Sequence, residues 1–78
     1  MPRMSDLSVS DSWWVTSVGE GDYPTLEEAA ASMAHMESYS AEHAAELRVR
    51  ILERLQDLAG RGYIVQRDGC WVRVDDAR

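Results

Sequence analysis

Between residues 41 and 59 the apolar side chains recur with a helical period. At 100° per residue, Ala44, Leu47, Ile51, Leu52, Leu55, Leu58 and Ala59 fall on one arc of about 140°. A stripe that wide has to be buried against other elements, so the rest of a 78-residue chain must be arranged to cover it. On the outer face Glu46 stands four residues before Arg50 and Asp57 four before Arg61. That order favours helical ion pairs worth about 0.2–0.5 kcal/mol each. Gly60 is expected to stop the helix from the position after its C-cap. Arg48 falls inside the apolar arc, between the directions of Leu55 and Ala59. An unpaired guanidinium there is costly. It therefore snorkels or pairs with a carboxylate of the preceding helix, or else serves as an anchor for a partner.

That preceding helix is announced by Thr25 and Glu28, the two ends of a capping box, and begins at about Leu26. Leu26, Ala29, Ala30 and Met33 lie on one stripe, while Glu27 and Glu28 sit in the first turn, where the helix dipole favours negative charge. Ser38, Tyr39 and Ser40 interrupt the pattern and offer a second N-cap.

The ends of the chain read as β structure. Trp13, Trp14, Val15, Thr16, Ser17 and Val18 are aromatic, β-branched or small, and Gly19, Glu20, Gly21 and Asp22 close them with turn residues, which predicts a strand. Asp68 and Gly69 are the dipeptide of a type I′ turn between two apolar runs. A two-residue loop pairs Arg67 with Cys70, Gln66 with Trp71, Val65 with Val72, Ile64 with Arg73 and Tyr63 with Val74. Tyr63, Val65, Cys70, Val72 and Val74 are then expected on the core face, and Ile64, Gln66, Trp71 and Arg73 on the face left to solvent or a partner. Residues 1–11 show no sustained period and are expected to form a flexible N-terminal arm, leaving residues 12–78 as a single domain. The expected fold is α+β: strand, helix, helix and β-hairpin, with a three-stranded antiparallel sheet packed on two helices.

Composition narrows the class. With 45% hydrophobic residues and three tryptophans the chain is expected to fold, since disorder goes with low hydrophobicity and few aromatics. A single cysteine, Cys70, rules out an internal disulfide. Together with the lack of a long apolar run or a signal-like N-terminus, this leads us to expect a soluble cytoplasmic protein with no membrane segment. Charge is segregated. Nine acidic residues against one arginine leave residues 1–47 at −8, and seven arginines against five acids leave residues 48–78 at +2. Such asymmetry bears on what a protein attracts, not on its fold.

Residues 26–74, and above all ILERLQDLAGRGYIVQRDGCWVRV (51–74), resemble the later part of a winged helix-turn-helix domain: the end of a recognition helix, a glycine before a strand, and a two-stranded wing. The resemblance implies a DNA-binding regulator whose basic face would be Arg48, Arg50, Arg54, Arg67 and Arg73. The chain departs from that pattern in three ways. It offers no convincing first helix before Trp13, its segment from Ser40 to Gly60 is longer than a usual recognition helix, and that helix opens with Glu42 and Glu46, whose carboxylates oppose phosphate.

Seven carboxylates, Glu20, Asp22, Glu27, Glu28, Glu37, Glu42 and Glu46, can form one acidic surface without compensating bases. Such a surface either keeps a small protein soluble or imitates a nucleic-acid backbone and occupies the basic groove of a nucleic-acid-binding protein. Trp71, Ile64 and Arg73 form a second candidate patch, for a partner or a homodimer. His35 and His43 are eight residues apart with no completing ligand, and Cys70 has no group beside it to lower its pKa, so no catalytic, metal or cofactor site is expected. The expected function is that of a non-enzymatic, acidic protein-binding module, an inhibitor or regulator that covers a basic nucleic-acid-binding surface. In size and acidity it is similar to small phage-encoded inhibitors of host defence, including anti-CRISPR proteins. Direct DNA binding and a structural or dimeric adaptor are the alternatives.

Overall fold

A computed structural model describes residues 3–77; residues 1 and 2 of the expected arm lie outside it. A single 3-10 turn, Met4–Asp6, leads into three helices: α1 (Val9–Gly21), α2 (Leu26–Glu37) and α3 (Ala41–Gly60). Strands β1 (Ile64–Arg67) and β2 (Cys70–Arg73) follow, and a 3-10 turn, Val74–Ala77, ends the described chain.

Each helix starts at a side-chain cap of the kind the sequence advertises. Ser8 Oγ accepts from the Asp11 amide at 3.2 Å, Thr25 Oγ1 from Glu28 at 3.1 Å, and Ser40 Oγ from His43 at 3.1 Å. α3 runs through the expected glycine to end at Gly60, and its left-handed stop falls two residues later. The Tyr63 amide reaches the Leu58 carbonyl at 3.0 Å and the Gly62 amide reaches Ala59 at 3.1 Å, with Gly62 at φ 86°. This is a Schellman motif, and the residue that takes the left-handed conformation is Gly62, while Gly60 remains helical.

The sheet has two antiparallel strands, not three. Their register is the one the Asp68-Gly69 turn dictates, Arg67 opposite Cys70 through Ile64 opposite Arg73, with both turn residues at positive φ. The segment read as a first strand is helical throughout. Ser8 caps it, and Asp11, Val15 and Val18 recur at helical spacing on its buried side. The β preference of Trp, Val and Thr is worth at most about 1 kcal/mol per residue, and one capped helix with a buried face outweighs it. Val9 and Asp11, in the stretch read as an arm, belong to the first turn of α1. Where a third strand would pair, the outer edge of β2 instead donates one hydrogen bond, from the Trp71 amide to the Tyr23 carbonyl at 2.8 Å.

The core joins all of these elements: Val15 and Val18 of α1, Leu26, Ala29, Ala30, Met33 and Ala34 of α2, Ile51, Leu55 and Leu58 of α3, then Tyr63 and Ile64. The α2 stripe is buried as expected, whereas of the α3 arc Ile51, Leu55 and Leu58 are buried and Ala44, Leu47, Leu52 and Ala59 half-buried. The hairpin faces do not divide as expected: Tyr63 is buried, but Val65, Cys70, Val72 and Val74 are only half-buried. Ile64 is 1% exposed and Trp71 packs against the core, because α1 lies across the face that carries Ile64, Trp71 and Arg73. Gly19 marks the crossing: a Cβ there would stand 2.9 Å from Arg73 Cγ and 3.3 Å from its backbone nitrogen. Among the described residues no helix is long and apolar enough to cross a membrane.

Candidate partner-binding surface

The seven carboxylates are held by helix ends. Glu20 lies in the last turn of α1 and Asp22 is its C-cap, at φ 51°, a conformation that Asp tolerates. Glu27 and Glu28 occupy the first turn of α2. Glu37 closes α2, and Glu42 and Glu46 lie in the opening turns of α3. All seven are exposed, and none makes an ion pair or side-chain hydrogen bond among the described residues. They gather in two groups. Nine residues separate Glu28 from Glu37, so helical rise sets the groups about 14 Å apart, one at each end of α2.

The arginines are mostly engaged elsewhere. Arg54 grips Asp11 through both nitrogens of its fork, Nε to Oδ1 and Nη2 to Oδ2, each at 2.6 Å. Asp11 is buried while the Arg54 side chain stays half exposed, so the pair ties the start of α1 to the middle of α3 and leaves the guanidinium wet. The hydrogen bond to Asp11, helped by its charge, raises the Arg54 pKa above the ordinary value. Arg61 pairs with Asp57 at 3.5 Å as expected, whereas the anticipated pair of Glu46 with Arg50 does not form. Arg48 is exposed, and it makes no ion pair with a described residue. Its side chain lies in the open seam between α2 and α3, near Glu27, Ala31 and Ala34, and reaches solvent there.

The second candidate patch does not survive as a surface. Ile64 is buried, Trp71 and Arg73 are half-buried, and α1 covers them. Ile64, the aliphatic half of that patch, belongs to the core and is not available as a surface anchor.

Three features were not singled out from the sequence. Val9 is 90% exposed and Trp13 46%, beside Trp14 in an edge-on ring contact at 4.7 Å. Tyr39, at the α2–α3 turn, stacks on His43 at 4.2 Å, and the His43 Nδ1 atom is buried without a hydrogen-bond partner. The third is a shallow groove along the α2–α3 seam. Ala31, Ala34, Ala41 and Ala45 line one end, and Arg48, Val49, Leu52 and Glu27 the other. The spacing of Ala41, Ala45, Val49 and Leu52 is itself helical, and was legible as a second apolar stripe beside the wider one. No group of three or more His, Cys, Asp or Glu among the described residues is placed to hold a metal ion. Compared with known proteins, the chain matches no family model, no curated protein and no solved structure.

Proposed function

We propose that this protein is a non-enzymatic acidic module that binds a basic surface of another protein, of the kind that otherwise binds nucleic acid. The observation that carries this reading is that seven carboxylates project from helix ends and none is consumed by an internal partner. With a formal net charge of −6, the chain presents a field that steers cationic surfaces toward it and repels nucleic acid. Action against host defence, in the manner of small phage inhibitors, is one setting that such chemistry suits.

The test uses a partner captured from the native host and then purified. Changing Glu27, Glu28, Glu42 and Glu46 together to Gln should slow association and flatten its dependence on salt, because steering acts on the on-rate. An unchanged on-rate and salt slope would refute the reading.

One observation favours DNA binding as a second reading: α1 supplies a helix ahead of α2 and α3, so three helices precede the hairpin as in a winged helix. Against it, Glu42 and Glu46 stand exposed at the leading turns of α3, and Arg54 of the supposed basic face is committed to Asp11. Absence of any duplex shift at about 50 mM salt, where phosphate contacts are strongest, would eliminate it.

A further inference from the structure

We propose that the α2–α3 groove is the docking site for a basic amphipathic helix of about three turns supplied by the partner; this rests on the acidic-module reading and names the element it recognises. The groove is open, and its floor is aliphatic apart from Arg48 at mid-length, with His35 of α2 at the alanine end. Ala41, Ala45, Val49 and Leu52 recur along α3 with Ala31 of α2 beside them, and Val49 remains 55% exposed, although Leu52 already leans on the core. From Ala41 to Leu52 the helical rise gives about 16 Å, the length of three turns. Alanines at one end of the floor let a helix backbone approach closely, and Val49 and Leu52 at the other give its side chains something to pack on.

Charge decides what kind of helix fits. On the α3 side the floor is bordered by Glu42, Glu46 and Glu53, which share one flank at spacings of four and seven residues, and all three are exposed. Glu27 borders the same depression from α2. An apolar stripe flanked by Arg or Lys complements both borders. Arg48, in the floor at mid-length, adds a requirement for one acceptor, a carboxylate or a hydroxyl, at the middle of the occupant. A second copy of this chain is disfavoured as occupant. An antiparallel pairing of two α3 helices would bring the Glu42, Glu46 and Glu53 flank against its own image, and each copy carries −6.

The test uses a labelled synthetic peptide of about 14 residues with leucines at i, i+3, i+4 and i+7 and arginines on both sides of that stripe. A control peptide has the same composition in scrambled order. Fluorescence anisotropy at about 50 mM salt should give affinity for the patterned peptide about tenfold or more above that for the control. Ala45→Glu is the decisive variant. Ala45 is exposed, so the fold should tolerate the change, and Val49→Glu repeats the test one turn further along, with circular dichroism checking both. Each adds a carboxylate, so binding by charge alone would tighten, whereas docking in the groove should weaken by about tenfold. Equal binding of the two peptides, or tighter binding by the variants, would overturn the groove and leave the acidic module standing. Failure of the wild type to bind either peptide would overturn both.

Discussion

Replacing Gly19 by Ala probes the element that the sequence disguises most. In an open helical site Ala is favoured over Gly by roughly 0.5–1 kcal/mol, because Gly loses more backbone freedom on folding. At Gly19 the added methyl meets Arg73 of β2, at 2.9 Å from Cγ and 3.3 Å from the backbone nitrogen. Cγ is close to the backbone and cannot swing away as a side-chain tip would. The nitrogen cannot retreat without moving a strand that is tied to Tyr23 through the Trp71 amide. Overpacking of this sort costs about 1–3 kcal/mol, so the variant should be less stable than wild type by about 1 kcal/mol, or about 4–8 °C in Tm for a domain of this size. Gly60→Ala supplies the control. Nothing lies within 4 Å of the position its Cβ would take, so only the propensity gain remains and stability should rise. Urea unfolding, followed by tryptophan fluorescence and far-UV circular dichroism, measures both. If Gly19→Ala proved as stabilising as Gly60→Ala, α1 could not lie across β2 as described.

Gly62→Ala should destabilise by about 1 kcal/mol where Gly60→Ala does not, since only Gly62 holds a positive φ, and urea midpoints of the two variants compare them directly. Ile64→Ala should cost about 2–5 kcal/mol by denaturant unfolding, as for a buried aliphatic, while Val49→Ala on the open groove should stay within about 0.5 kcal/mol; comparable losses would mean the hairpin turns its other face inward. Asp11→Asn and Arg54→Gln should each lower the urea midpoint, and the double variant should do little worse than the poorer single, because each breaks the same two-pronged ion pair; additive losses would show that the groups act independently.

Local rules determined much of this protein. Thr25, Ser40 and the apolar periods of residues 26–33 and 41–59 specify α2 and α3 almost to the residue, because caps and helical stripes act within a few residues of themselves. Asp68 and Gly69 likewise dictate the hairpin register through backbone conformation alone. The charge of the candidate surface was equally legible, since exposed carboxylates need no fold to be acidic. Tertiary structure decided what no local rule addresses. Residues 13–18 favour a strand by composition, yet Val15 and Val18 find their burial only as a helix against α2, α3 and the hairpin. Alternation along the hairpin defines two faces without saying which is inside; α1, arriving across Arg73, chose the one with Ile64 and Trp71. The bond between Asp11 and Arg54 spans 43 residues, and the groove exists only because α2 lies alongside α3. Both are properties of packing, in which distant segments become neighbours for reasons that neither contains alone.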